Sequence, residues 1–201
     1  MQSIQDKILS RIYGHKGGWV FSPRNFLDLG SRQSVGVALQ RLVHDRTIRR
    51  VARGLYDYPK QHPILGTLAP SPDAVAKAIA GKENIRLQPS GAYAANVLGL
   101  SEQVPAKIVF LTDGPYKTVR IGNQQIQLKR TTPRNMTLAG RVSGSVVEAL
   151  RYLGKRHVDE DVISKLRHRL GAEEKRQLLK DLPIAPTWMG HYFREIASPA
   201  E

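Results

Sequence analysis

Arginine and glutamine recur between Arg32 and Arg53 in a pattern suited to reading a polyanion. On a helical spacing, Gln33, Gly36, Val37, Gln40, Arg41 and His44 share one face, flanked by Arg32 and Ser34. Arginine offers a two-pronged donor for guanine and glutamine a donor–acceptor pair for adenine, while Ser34 and Gly36 are small enough to allow close approach. Four more arginines follow, Arg46, Arg49, Arg50 and Arg53, with only Asp45 and Asp57 nearby as acids. A guanidinium fork matches phosphate geometry, so these four are expected to clamp a phosphate backbone, with Arg53 at a loop tip able to enter a minor groove. Ser22, Arg24 and Ser31, at the preceding helix starts, complete the candidate DNA-contacting set.

The elements that must position these residues follow from periodicity. Ile4, Ile8, Leu9 and Ile12 predict a helix over about Ile4–Tyr13, ended by Gly14, Gly17 and Gly18. Trp19-Val20-Phe21 reads as a short β segment. Ser22-Pro23 is a helix start, giving a brief second helix Pro23–Leu29 with Phe26, Leu27 and Leu29 toward the core and Gly30 as its left-handed end. Ser31 caps a third helix whose apolar stripe is Val35, Ala38, Leu39 and Leu42. A hairpin follows, Ile48–Val51 and Leu55–Tyr58 about Ala52-Arg53-Gly54, and must dock on the helices because an isolated hairpin is marginal. Two helices joined by a short turn and trailed by a basic hairpin predict a winged helix-turn-helix over residues 1–60.

Pro59 and Pro63 place a boundary at about Lys60–Leu65, and residues 65–201 read as a mixed α/β domain with a helical C-terminus. The fold class is therefore α+β. A helix is expected at Ala74–Ala80, a strand at Ile85–Leu87, and a small-residue helix at Gly91–Val97 capped by Ser90. Lys107–Thr112 (KIVFLT) reads as a buried strand. Tyr116–Ile121 and Gln124–Lys129 form a hairpin about Gly122-Asn123. Helices are expected at Ser145–Leu153, Asp159–Leu170, Ala172–Leu182 and Pro186–Ile196.

Composition sets the class of partner. The 201 residues carry a formal net charge of +14 and no cysteine, which excludes disulfides and thiolate metal sites. The first 60 residues hold 11 basic and 4 acidic residues and the other 141 hold 20 and 13, so each part has a net charge of +7. Such basicity favours a polyanion. No strongly basic amphipathic helix with an aromatic apolar face is present to favour a membrane surface instead. No apolar run has the length of a membrane span, and the start MQSIQDKILSRIYG lacks a signal peptide's apolar core, so the expected location is the cytoplasm.

Enzymatic constellations are weak. Gly144-Ser145 with Asp159 and Asp161 has a faint nucleotidyltransferase look, but Val158, Val162, Leu166 and Leu170 continue at helical spacing, making Asp159-Glu160-Asp161 an acidic helix start. Ser143-Gly144-Ser145 reads as a loop and helix cap. The six histidines show no paired ligand spacing and no G-x-S-x-G elbow appears, so neither a cofactor, a metal nor a catalytic set is expected. Lys155-Arg156 with Lys165, Arg167 and Arg169 forms a basic stripe, either a solvated face or a second backbone contact.

Two blocks carry a family resemblance. The order of elements in residues 1–58, with Arg53-Gly54-Leu55-Tyr56, resembles the N-terminal winged helix of AbiEi-type antitoxins of type IV toxin–antitoxin operons. PSGAYAANVLGLSEQVPAKIVFLTDG, Pro89–Gly114, is similar to the central motif of a branch of that superfamily. The resemblance extends over nearly the whole chain, to Pro186-Thr187-Trp188. It implies an N-terminal domain that binds inverted repeats in double-stranded promoter DNA and represses the operon. It also implies a C-terminal domain that antagonises a nucleotidyltransferase-fold toxin, direct contact not being required; the alternative is an antitoxin that acts by binding that toxin directly.

Overall fold

A computed structural model describes residues 2–81 and 85–199. Among these the fold is mixed α+β and divides into two compact units: residues 2–81 with Val119–Gly122, and the other described residues.

The first unit begins with α1 (Ile4–Gly14). Ser3 and Asp6 bond reciprocally to close a capping box over its start. Strand β1 (Val20–Phe21) leads into a single 3-10 turn, Pro23–Phe26, rather than the expected helix to Leu29. The cause is local. Arg11 donates to the Asn25 carbonyl at 2.6 Å, and the Leu29 N–H turns to Phe26 instead, so the α-helical ladder does not propagate. Leu27 is accordingly exposed, whereas Phe26 is fully buried. Gly30 does not adopt the left-handed conformation expected of it. It is small for another reason: a Cβ there would lie 2.7 Å from Ile4 Cδ1.

Helix α2 (Arg32–His44) is capped by Ser31, and hairpin strands β2 (Arg49–Ala52) and β3 (Leu55–Asp57) follow. The three strands form an antiparallel sheet in the order β1-β3-β2. Ile8 and Ile12 from α1, Phe21 and Phe26, the α2 stripe Val35, Ala38, Leu39 and Leu42, and Ile48 make one core, into which each drops its apolar surface.

The first unit runs on past the expected boundary at Lys60–Leu65. Prolines there interrupt regular structure without ending the packing. Strands β4 (Gln61–His62) and β5 (Gly66–Thr67) form a small hairpin, and α3 (Pro72–Ala80) packs against β1.

The second unit is built on β6 (Leu87–Ser90), β7 (Lys107–Thr112) and β9 (Gln124–Arg130) with the first two residues of β8 (Lys117–Ile121), in the sheet order β6-β7-β9-β8. β6 pairs antiparallel and β9 parallel with β7. The first of these strands starts two residues later than expected, so Ser90 ends the strand and Gly91 precedes α4 (Ala92–Val97). Helices α5 (Val142–Leu153), α6 (Glu160–Arg169), α7 (Ala172–Lys180) and α8 (Gly190–Ala197) complete the unit, their core including Val146, Leu150, Ile163, Leu166, Leu178 and Phe193. Ser143-Gly144-Ser145 lies inside the first turn of α5 rather than in the loop before it, because Gly144 allows the helix to start flush against Gln88 and Leu138. Among the described residues no helix is long and apolar enough to cross a membrane.

Candidate nucleic-acid interface

Helix α2 is held by its buried stripe, which leaves the opposite face to solvent. Arg32, Gln33, Gln40 and Arg41 are exposed there, together with Val37, whose relative exposure is 42%. His44, at the end of the same helix, has a side chain 90% exposed. The expected base-reading set therefore shares one accessible surface.

The serines of the candidate set act locally. Ser31 Oγ accepts from the Ser34 N–H at 3.2 Å, Ser34 Oγ donates to the Ser31 carbonyl at 3.1 Å, and the two hydroxyls lie 2.7 Å apart. Ser22 is engaged in the same way with Asn25, its N–H reaching Oδ1 at 2.9 Å. All three fix helix or turn starts and so aim the residues that follow them.

Hairpin geometry sorts the four arginines. Strands β2 and β3 shift register between Arg50 and Ala52, a bulge that increases local twist, and Gly54 supplies the positive φ of 72° that the tip needs. Arg53 sits exposed at that tip and Arg50 is exposed on β2. Arg46 is exposed just beyond α2. Arg49 departs from the expectation that it clamps phosphate. It faces Asp57 across the strands, donates through Nε to Oδ1 at 3.0 Å and through Nη2 to Oδ2, and also donates to the Leu68 carbonyl at 2.8 Å. Its charge is spent on a carboxylate that is 1% exposed, and the paired Asp57 raises the guanidinium's already high pKa. Arg49 is a structural clasp.

The other acids of this region are also committed. Asp6 closes the α1 capping box, Asp28 takes Arg11 in a two-pronged pair that holds the carboxyl below its usual range, and Asp45 lies against His44. Among the described residues, no carboxylate pairs with Arg24, Arg32, Arg41, Arg46, Arg50 or Arg53. These exposed cations are left to seek an external anion.

One contributor escapes sequence reading. A groove of about 460 Å³ lies between the start of α1 and the polar face of α2, lined by Ser3, Gln5, Ser31, Gln33, Val37 and Arg41. The capping box at Ser3–Asp6 signals a helix start, but only the packing of α1 on α2 brings Ser3 and Gln5 beside the α2 face.

In the second unit the acidic triplet is a helix start. Asp159 accepts from the Val162 N–H at 3.0 Å, and Asp161 pairs with Lys165 at 2.7 Å. Among the described residues there is no group of three or more His, Asp or Glu placed to hold a metal. Much of the basic stripe staples the fold: Arg167 donates to the Glu195 carbonyl at 3.0 Å and Arg169 to the Val97 carbonyl at 2.8 Å.

A family profile matches residues 7–178, most of both units. The chain belongs to DUF6088, a family of unknown function. The DUF6088 span takes in the α2 face, the arginine hairpin and the whole four-stranded sheet. No curated protein and no solved structure matches the chain.

Proposed function

We propose that residues 2–81 contain a winged helix-turn-helix that binds double-stranded DNA and that the protein represses its own operon. The observation that carries this reading is the exposed α2 face, Arg32, Gln33, Gln40 and Arg41, next to a hairpin whose Arg50 and Arg53 have no carboxylate partner among the described residues. The element order supports it: helix, short strand, turn, helix and two-stranded wing, with the short first strand pairing beside the wing. In this assignment α2 is the recognition helix. Gln33, Gln40 and Arg41, with Arg32 and Val37, read base edges in the major groove. Arg24, Arg46, Arg50 and Arg53 hold phosphates, with Arg53 reaching the minor groove.

The resemblance to AbiEi-type antitoxins motivates the second part of the proposal: the protein is the antitoxin of a type IV pair whose toxin has a nucleotidyltransferase fold and need not be contacted.

A mobility-shift titration with the protein's own upstream DNA against a scrambled duplex tests the first part. Preferential retention of the upstream fragment, weakening steeply with salt, is expected; equal affinity for both ends the specific-repressor reading. Co-expression with a neighbouring nucleotidyltransferase gene tests the second, with restored growth expected.

A further inference from the structure

The second unit carries 18 of the chain's 31 basic residues and 12 of its 17 acidic ones, a net charge of +6, and duplex recognition by α2 leaves that charge without a role. Between Lys107 and Arg141 the chain has seven basic residues and a single acid, Asp113, which is already paired with Arg86 at 2.8 Å. The sheet brings part of this charge onto one face, which α5 covers at the β6 edge, where Gln88 and Ser90 bond Ser145 and Glu148, and which is exposed at Lys107, Gln125 and Lys129. β7 alternates, with Ile108, Phe110 and Thr112 buried and Lys107, Val109 and Leu111 on the other side. The parallel register sets Lys107 beside Gln125, Val109 beside Gln127 and Leu111 beside Lys129. Lys107, Gln125 and Lys129 are exposed, and these three rows contain no carboxylate.

An aromatic ring lies on that face. The Tyr116 oxygen accepts from Thr118 Oγ1 at 3.1 Å and from Gln127 Nε2, yet Tyr116 remains 61% exposed. The two bonds, from Thr118 and Gln127, and the Lys107 charge draw the phenol below its ordinary pKa. A tyrosine pinned at its polar end with its surface still open is ordered before any ligand arrives. It loses little rotamer freedom on stacking.

We infer that this face, Tyr116 with Lys107, Lys129, Gln125 and Gln127, binds single-stranded nucleic acid. Lysines neutralise the strand's phosphates, a base stacks on the open side of Tyr116, and the glutamine amides bond base edges. A duplex fits less well, because its bases are already stacked on one another and cannot reach the ring. The inference is independent of the winged-helix reading, since none of these residues belongs to the α2 surface.

Fluorescence anisotropy on the full chain tests it, with labelled mixed-sequence oligonucleotides of about 12 nucleotides as single-stranded DNA, single-stranded RNA and blunt duplex. Both single strands are expected to bind through this face, and the tighter of the two identifies the strand type. Tyr116→Ala is expected to weaken single-strand binding on the order of tenfold, Tyr116→Phe much less, and Lys107→Ala with Lys129→Ala to flatten its salt dependence. Photocrosslinking of a 5-iodouridine oligonucleotide is expected to label Tyr116 in the unmodified chain. Equal single-strand affinity of the wild type and Tyr116→Ala, or duplex binding lost in parallel with single-strand binding in Tyr116→Ala, overturns the inference. Arg41→Ala, which is directed at the α2 surface, is expected to leave single-strand binding by this face intact, so the two readings fail separately.

Discussion

Arg49 and Asp57 stand opposite one another on β2 and β3 and join through both guanidinium prongs, tying the base of the arginine hairpin to the Leu68 carbonyl beyond it. Removing the arginine leaves a carboxylate 1% exposed without its counter-charge. Arg49→Ala is expected to destabilise the protein by about 1–3 kcal/mol, less than a fully buried pair would lose because the guanidinium is about a third exposed. Urea unfolding checks this. At temperatures where the variant stays folded, its DNA affinity should change far less than its stability.

Arg53→Ala and Gln33→Ala should separate positioning from reading. The first is expected to weaken binding to all duplexes alike and to lower the salt slope by roughly one. The second is expected to cost about 1–3 kcal/mol at a single base position and to relax preference there. Titrations against a set of single-base operator variants at two salt concentrations distinguish them, and neither change should move the urea midpoint.

Much of this surface was legible in the sequence. The α2 stripe and its polar face follow from a 3.6-residue period, and KIVFLT announces a strand by being apolar and bounded by turn residues. What periodicity does not encode is cross-strand partnering. Arg49 and Arg50 are equivalent in the sequence, and only the register that sets Arg49 against Asp57 and Arg50 against Tyr56 assigns one to the fold and leaves the other to solvent. The single turn at Pro23–Phe26 is hidden from the sequence for a similar reason, since the Arg11 side chain that intercepts the Asn25 carbonyl comes from another helix. Prolines alone point to a break near Lys60–Leu65, whereas the first compact unit runs on to Gly81, with α3 packed on β1.

Gly144→Ala is expected to be strongly disruptive although it replaces one small residue with another inside a helix. The added methyl would lie 2.4 Å from the Leu138 carbonyl and 2.4 Å from Gln88 Oε1. Because one of those atoms is backbone, relief requires moving the chain, and a loss of about 1–3 kcal/mol or more is expected. Thermal unfolding measures it. Ser145→Ala, one residue on, removes only the bond from Gln88 Nε2 and should lose less.

Acid stability should depend on Asp113. The Arg86 guanidinium and backbone N–H, at 2.8 and 3.0 Å, hold its carboxyl below the usual range in the folded state. A carboxyl depressed on folding contributes its full stabilisation above its unfolded pKa and loses it as pH falls through the folded value. Wild type should therefore exceed Asp113→Asn in urea midpoint at about pH 6, and the gap should close as pH is lowered toward about 3. A gap that stays constant across this range would remove the carboxylate's titration from the account.

Arg46 follows the last residues of α2 with a φ of 57°. Its N–H bonds the Val43 carbonyl while the Thr47 N–H reaches Leu42, the helix-ending motif in which glycine is the comfortable occupant. A side chain in this conformation costs about 1 kcal/mol. Arg46→Gly is accordingly expected to raise the unfolding midpoint slightly while weakening duplex binding. If Arg46 holds a phosphate as proposed, the chain concedes stability at this helix end to keep a cation there, and a library selected for heat resistance alone would drift toward glycine at position 46 at the expense of that contact.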